Sequence, residues 1–295
     1  MYIAFDVGGT YVKHGVLTKK GEIVEKGKYS TNCTNEDTFM EDMKRVVDDY
    51  CSRHDVKGIA MAMPGIINID TGYMKEAGAI LSLWGRNMKE LLRGITDLPA
   101  EIENDANCVA LAEKFNGNAV ECEDFICMTI GTGIGGGIVI KDRIHHGWKF
   151  IGGEFGHMRI NNENPEESLH DNCSTRGLIN KYKTYMGIPE DVVVGGKEVF
   201  DTAETDKGAA DILDRWFRNI SIAIYNLSVM LNPQKILIGG GVSEREDFLV
   251  RIEYFLKKNE NWENVGSEIG ICKHKNDAGM LGALYHLLNK LQQKS

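Results

Sequence analysis

Two glycine turns, each carrying a threonine, are the first residues of this chain with obvious chemical use. "DVGGTYVK" (Asp6 to Lys13) and "GTGIGGGIVI" (Gly131 to Ile140) both set glycines between strand-like runs. Without a Cβ, Gly8, Gly9, Gly131 and Gly133 let backbone N–H groups approach an anionic oxygen closely, and the hydroxyls of Thr10 and Thr132 add donors. Asp6 can hold a hydrated Mg²⁺, while Lys13 either reaches phosphate or is a solvated strand lysine. One such turn is ordinarily a plain hairpin turn; two, each with a hydroxyl, read as a two-sided clamp on a polyphosphate. Strands follow the glycines, so neither a Rossmann fingerprint nor a Walker loop fits. A third run, "GGGV", places Gly239, Gly240 and Gly241 between a strand and a helix. A flat base or ribose can lie against such backbone, or the chain simply turns there.

In "ENDANC", Asp105 stands where a strand gives way to a helix. A carboxylate at that junction is either an N-cap or an acid–base group, and Asn104 can cap or orient the same turn. The stretch "GGEFGHMRINNENPEESLHDNCSTRGL" gathers Glu154, His157, His170, Asp171 and Cys173 into one polar run. It is open to three readings: metal site, substrate site or solvated loop.

The elements that must position these residues are legible from periodicity. "YIAFDV", "YVKHGVL" and "IVEKGKYS" read as consecutive strands; "EDTFMEDMKRVVDDYCSRH" places Phe39, Met43, Val46, Val47 and Tyr50 at helical spacing. "KGIAMAMPGII" is a buried strand ending in a Pro-Gly loop, "PAEIEN" another strand, and "DANCVALAEKFN" an Ala-rich helix. From "DFICMTIGTGIGGGIVIKDR" the opening pattern of strand, glycine turn and strand returns, so the chain carries the same device twice. A long apolar-faced helix, "DILDRWFRNISIAIYNLSVMLN", stops before Pro233; "KILIGGGV" is a strand, and "REDFLVRIEYFLKK" and "AGMLGALYHLLNKL" are helices. The whole is α/β.

At 295 residues two domains with a cleft between them are expected. The net charge of −9 and the dispersed Lys and Arg residues argue against nucleic acid as a partner. No apolar run reaches the length of a bilayer span and "MYIAFDVGGT" lacks the pattern of a signal peptide, so a cytoplasmic protein without membrane contact is expected. The seven cysteines form no CxxC pair and read as reduced, mostly structural thiols.

"DVGGTYVK", "ENDANCVALAE", "IGTGIGGGIVI", "GGEFGH" and "GGGV", in this order and over most of the chain, resemble the ROK family of bacterial sugar kinases and repressors. The resemblance implies an actin-like ATPase (ribonuclease H-like) fold: a smaller N-terminal domain over residues 1–117, joined by a final helix at about 280–295 packing back on it, and a larger domain over 118–279. It implies ATP and Mg²⁺ as cofactors, a small-molecule sugar as substrate and a homodimer as the assembly. Repressors of the family carry an N-terminal helix-turn-helix; here the first strand starts at residue 2, which favours an enzyme over a non-catalytic sugar-sensing regulator.

Carried onto this sequence, the resemblance makes Asp105 the catalytic base, and Glu154 and His157 ligands of sugar hydroxyls. It sets Asn104, Gly65 of "MPGI" and Gly78 of "EAGAI" beside the same sugar. In the family the His also binds zinc with three cysteines of a CxCGxxGC knuckle. Here the matching stretch is "DNCSTRGL": Asp171 replaces the first cysteine, Ser174 the glycine and Leu178 the last cysteine, so no zinc is expected. Ser174, Thr175 and Arg176 are expected to support the loop instead, by bonding its backbone or capping the next helix. A further sugar-contacting Glu of the family aligns with Asn180. Together these departures open the wall around the anomeric carbon while leaving the phosphate end complete. They point to 6-hydroxyl phosphorylation of a β-glucoside such as cellobiose, with a glucokinase or an N-acylhexosamine kinase such as an N-acetylmannosamine kinase as the alternatives.

Overall fold

Both glycine turns lie in β-hairpins, and each hairpin begins a sheet. The computed structural model describes residues 1–161 and 164–293. They fall into two compact units, the first made of Met1–Glu121, Arg143–Gly152 and the segment from Asn276 onward, the second of Cys122–Asp142 and Gly153–Lys275. The first unit opens with β1 (Tyr2–Val7), β2 (Tyr11–Leu17), β3 (Ile23–Ser30), α1 (Glu36–Arg53), β4 (Ile59–Met63), α2 (Met88–Arg93), β5 (Ala100–Asn104) and α3 (Asp105–Asn116). The second contributes β6 (Phe125–Ile130) and β7 (Ile134–Ile140), after which the two-residue β8 (Arg143–Ile144) belongs to the first. The second resumes with α4 (Leu169–Cys173), α5 (Thr175–Met186), α6 (Gly196–Ala203), α7 (Lys207–Leu231), β9 (Lys235–Gly239), α8 (Phe248–Leu256), α9 (Trp262–Val265) and β10 (Glu268–Ile271). The last described helix, α10 (Ala278–Gln293), is part of the first unit.

The sheet of the first unit runs β3-β2-β1-β4-β5, with the β1–β2 and β2–β3 pairs antiparallel and β4 and β5 added in parallel. The second sheet, β10-β9-β6-β7-β8, repeats the scheme: β6 and β7 form the antiparallel hairpin, β9 then β10 extend it in parallel on the other side of β6, and the short β8 lies beside β7. Strand β4, "IAMAM", is buried at every position, as a strand covered on both faces must be.

Local chemistry sets the helix ends. Asn35 caps α1 through Thr38 N at 2.9 Å, Glu36 and Asp37 occupy its first turn, and Phe39, Met40, Met43, Val47 and Tyr50 form its buried stripe. Asp206 caps α7, which ends on Asn232 in the left-handed region just before Pro233. Helix α10 lays Leu284 and Leu287 against Ala4, Ala60, Ala62, Cys108 and Ala112. Its approach to α3 is close enough that a Cβ on Gly282 would fall 1.8 Å from the Cys108 carbonyl oxygen.

Several details differ from the sequence reading. Residues 143–152 belong with the first unit, and the two units are similar in length where a smaller first and a larger second were expected. Helix α10 begins at Ala278, and the last two positions of the helix expected to reach 295 lie outside the described residues. Helix α6 and strand β10 had no distinct signal, β10 being four residues of mixed burial. No described helix is long and apolar enough to cross a membrane. No disulfide joins any of the seven cysteines, all of which are described.

Candidate active site

In the first unit the site is built around the start of α3. Asn104 has extended backbone, φ −62° and ψ 142°, and its side chain accepts from Asn107 N at 3.0 Å, so Asn104 is the N-cap. Asp105 is therefore the first helical residue, and its Oδ1 accepts from Ala106 N at 2.8 Å. Asn104 also donates from Nδ2 to the Gly65 carbonyl at 3.0 Å, which joins the Pro-Gly loop to the turn. Gly65, at φ +97°, is required: a Cβ there would meet the Glu76 carbonyl oxygen at 2.2 Å. Gly78 accepts from Trp84 Nε1 at 3.1 Å. Glu103, fully buried one residue before the cap, accepts from Asn104 N at 2.8 Å and from Asn107 Nδ2 at 3.0 Å. Burial by itself raises such a carboxyl, but the hydrogen bond from His146 and the neighbouring donors outweigh it and hold Glu103 below the usual carboxylate range.

Asp6 and Lys13 face each other across the β1–β2 ladder, and Lys13 Nζ lies 3.1 Å from Asp6 Oδ2 and 3.3 Å from the Asn276 carbonyl oxygen. Lys13 is thus tied to the carboxylate that sequence reading gave to a hydrated metal ion. Gly8 N donates to Tyr11 O at 3.0 Å and the Thr31 hydroxyl donates to Gly8 O at 2.6 Å, which fixes the first glycine turn, with Thr10 O accepting from Thr31 N at 3.0 Å. A Cβ on Gly9 would sit 2.8 Å from that of Ala79, and one on Gly279 of α10 would sit 2.5 Å from the Asp6 carboxyl carbon.

In the second unit Gly131 N donates to Gly133 O at 2.9 Å, and Thr175 N donates to Gly131 O at 2.8 Å. Ile134 N donates to His170 Nδ1 at 2.9 Å. The His170 ring also lies beneath Gly156 and edge-on to His157, with centroids 5.4 Å apart. Burial, followed by the nearby His157, pushes the His170 pKa down, so the ring is a neutral acceptor at neutral pH. Glu154 is half-buried and His157 exposed at the 3₁₀ turn over Phe155–His157. Asn180 is exposed on α5, outside this hydrogen-bonded cluster; its carbonyl accepts from the Thr184 hydroxyl.

Gly240, at φ +99°, would bring a Cβ to 2.1 Å from the Ile130 carbonyl oxygen, whereas nothing lies within 4 Å of one on Gly241. That open side faces a cavity of about 430 Å³, whose lining includes Gly131, Thr132, Thr175, Phe200, Gly241 and Arg245. The Arg245 guanidinium stands 4.0 Å from the centre of the Phe200 ring. Neither Phe200, on α6, nor Arg245 is singled out by the sequence.

Among the described residues no group of three or more His, Cys, Asp or Glu is arranged to hold a metal ion. The residues at the knuckle positions are engaged otherwise and do not fit zinc. Asp171 is held below the usual carboxylate range by hydrogen bonds from Ser168, with which it forms the capping box of α4. Cys173 is buried, which pushes its thiol up, and Leu178 is core. Ser174 supports the loop by capping α5 through Gly177 N at 2.9 Å and by accepting from Trp216 Nε1 at 3.2 Å.

A family model described as "ROK family" matches residues 2–290. The β-glucoside kinase of Klebsiella pneumoniae is 36% identical over 288 residues, which cover 96% of this chain and 94% of that protein. The crystal structure of a ROK family protein from Streptococcus pneumoniae TIGR4 in complex with sucrose has a TM-score of 0.87 at 30% identity, covering 99% of each chain. A ROK family glucokinase from Streptomyces griseus in complex with glucose and AMPPNP has a TM-score of 0.77 at 25% identity, covering 96% of this chain and 97% of that one. The fold is the actin-like ATPase fold, and the chain belongs to the ROK family.

Proposed function

We infer that the chain is a carbohydrate kinase that transfers the γ-phosphate of ATP to the 6-hydroxyl of a β-glucoside. The observation that carries the reading is the division of labour at α3: Asn104 does the capping, so the Asp105 carboxylate is not needed for it. Asp105 then takes the proton of the sugar hydroxyl as its oxygen attacks phosphorus. In a loose phosphoryl-transfer transition state the proton leaves late, so a carboxylate at a helix start serves by position more than by basicity.

The cavity beside Gly241 has the room and the flat backbone floor that a nucleoside needs, with Phe200 and Arg245 on its wall. Gly131, Thr132, Gly133, Gly239 and Gly240 belong to the same nucleotide role, with Gly8, Gly9, Thr10 and Lys13 for phosphate. Asp6 would hold the water shell of Mg²⁺, which supplies charge neutralisation on the phosphates. Glu154, His157, Asn104, Gly65, Gly78 and Asn180 are assigned to the sugar. Asn180 in place of a Glu offers both a donor and an acceptor, which suits an anomeric oxygen that is substituted and no longer donates.

The β-glucoside kinase named above supports the substrate class, and the glucokinase complex with AMPPNP supports ATP. A homodimer is part of the same reading; exposed Met230, Val250 and Tyr254 are apolar surface that such an assembly can use. The test is ADP release from Mg·ATP with a panel of glucose, N-acetylmannosamine, cellobiose and other β-glucosides. ADP release with none of these sugars would sink the kinase reading, and a large preference for a free hexose would sink the glycoside.

A further inference from the structure

Glu103 is a hub. One carboxylate oxygen takes the Asn104 and Asn107 donors that shape the Asp105 turn; the other lies 2.8 Å from His146 Nε2, which donates in the tautomer protonated there, and 3.4 Å from His286 Nδ1 of α10. His146 begins a short closed loop. Gly152 N donates back to the His146 carbonyl at 2.8 Å, and Gly147 turns at φ +71°. Phe150, which is not glycine, adopts φ +57°; it packs on the core of the first unit with its ring 6.1 Å from that of His146. Such backbone persists only where surrounding contacts over-determine it.

Between the anchor and the plug, Trp148 is 94% exposed. An indole held in water contributes nothing to folding, and a floppy loop would let it collapse onto apolar surface. Here the loop is closed, plugged and tied to the catalytic turn, and the indole still points outward. On a fixed backbone an aromatic side chain has only two rotatable bonds to immobilise and binds at small entropic cost. A pyranose offers the matching face: its C–H bonds lie against an aromatic ring while its hydroxyls stay in water.

We propose that Trp148 is a specificity residue that stacks on the glycosyl unit beyond the phosphorylated ring, and that the Glu103–His146 pair is a positioning device that sets the loop relative to Asp105. The proposal rests on the β-glucoside reading above. His146 and Glu103 touch no reacting atom; they act through the loop and the turn.

Steady-state kinetics with cellobiose and with glucose test it, in the wild type and in W148A, W148F and H146Q. The ratio of kcat/KM for cellobiose to that for glucose falls about tenfold or more in W148A, mostly through the KM for cellobiose, and W148F recovers much of it. H146Q lowers the same ratio with a smaller effect. A wild type that shows no preference for β-glucosides overturns the reading and the proposal together. A wild type that prefers them while W148A keeps the wild-type ratio overturns the proposal alone.

Discussion

His170 Nδ1 accepts the Ile134 amide proton at 2.9 Å, while the same ring fills the space beside Gly156 so closely that a Cβ there would come within 2.1 Å of it. One neutral imidazole thus joins the second glycine turn to the "GGEFGH" loop. His170→Ala leaves the Ile134 amide without its acceptor in a part-buried site, and should cost roughly 1–3 kcal/mol of stability. It should also raise the KM for both ATP and sugar, since it loosens both loops. Urea denaturation beside two-substrate kinetics checks this; unchanged KM values for both would refute the coupling.

Asp105→Asn keeps the shape of the side chain but removes proton acceptance. The rate should drop by roughly 10²-fold or more, while the melting temperature stays close to that of the wild type because the cap is Asn104. Asn104→Ala is the converse, removing the cap and the tie to Gly65, and should cost about 1 kcal/mol. Kinetics and thermal melts of the pair separate the two roles; wild-type turnover in Asp105→Asn would reject the base.

Burial pushes down the pKa values of His14, His170 and His286. Above the ordinary histidine value of 6.5, folded and unfolded chains are both neutral at these positions. As the pH falls through it, the unfolded chain takes up protons that the folded one resists. Stability should therefore decline below about pH 6.5, before most carboxylates titrate, and the decline should level off once the folded-state pKa values are passed. Chemical denaturation between about pH 8 and about pH 5 measures it, and a flat profile across that window would contradict the burial of these rings.

The knuckle positions hold a capping aspartate, a buried thiol and a core leucine. Purified protein should carry no stoichiometric zinc, and a zinc-selective chelator that spares Mg²⁺ should leave melting temperature and turnover unchanged. Elemental analysis finding about one zinc per chain would overturn this.

The parts of the site that sequence alone made legible are those governed by local chemistry. Glycine turns between strands, the helix stripe of α1 and the stop before Pro233 need only neighbours within a few residues. Asn104 and Asp105 could not be told apart that way, since both accept hydrogen bonds and both favour helix starts; the extended ψ of Asn104 decides it. The long-range pairs were not legible at all. His146 meets Glu103 across 43 positions and His170 meets Ile134 across 36. Nothing in the chain near either histidine announces its partner. Arg245 and Phe200 belong to the same class, since the cation lies in the bend before α8 and the ring that it covers lies on α6.

Helix α10 covers β1, β4 and α3, and its glycines Gly279 and Gly282 lie where side chains would collide with Asp6 and Cys108. In the chain β1 comes long before α10, so the first unit's sheet stays uncovered on that face until α10 has been made. The second unit, whose segments lie between Cys122 and Lys275, has all its strands available earlier. All segments of the second unit are thus made before the helix that completes the unit carrying Asp105. A released chain truncated just before Ala278 should protect β6, β7 and β9 from proteolysis and leave β1 and β4 open to it.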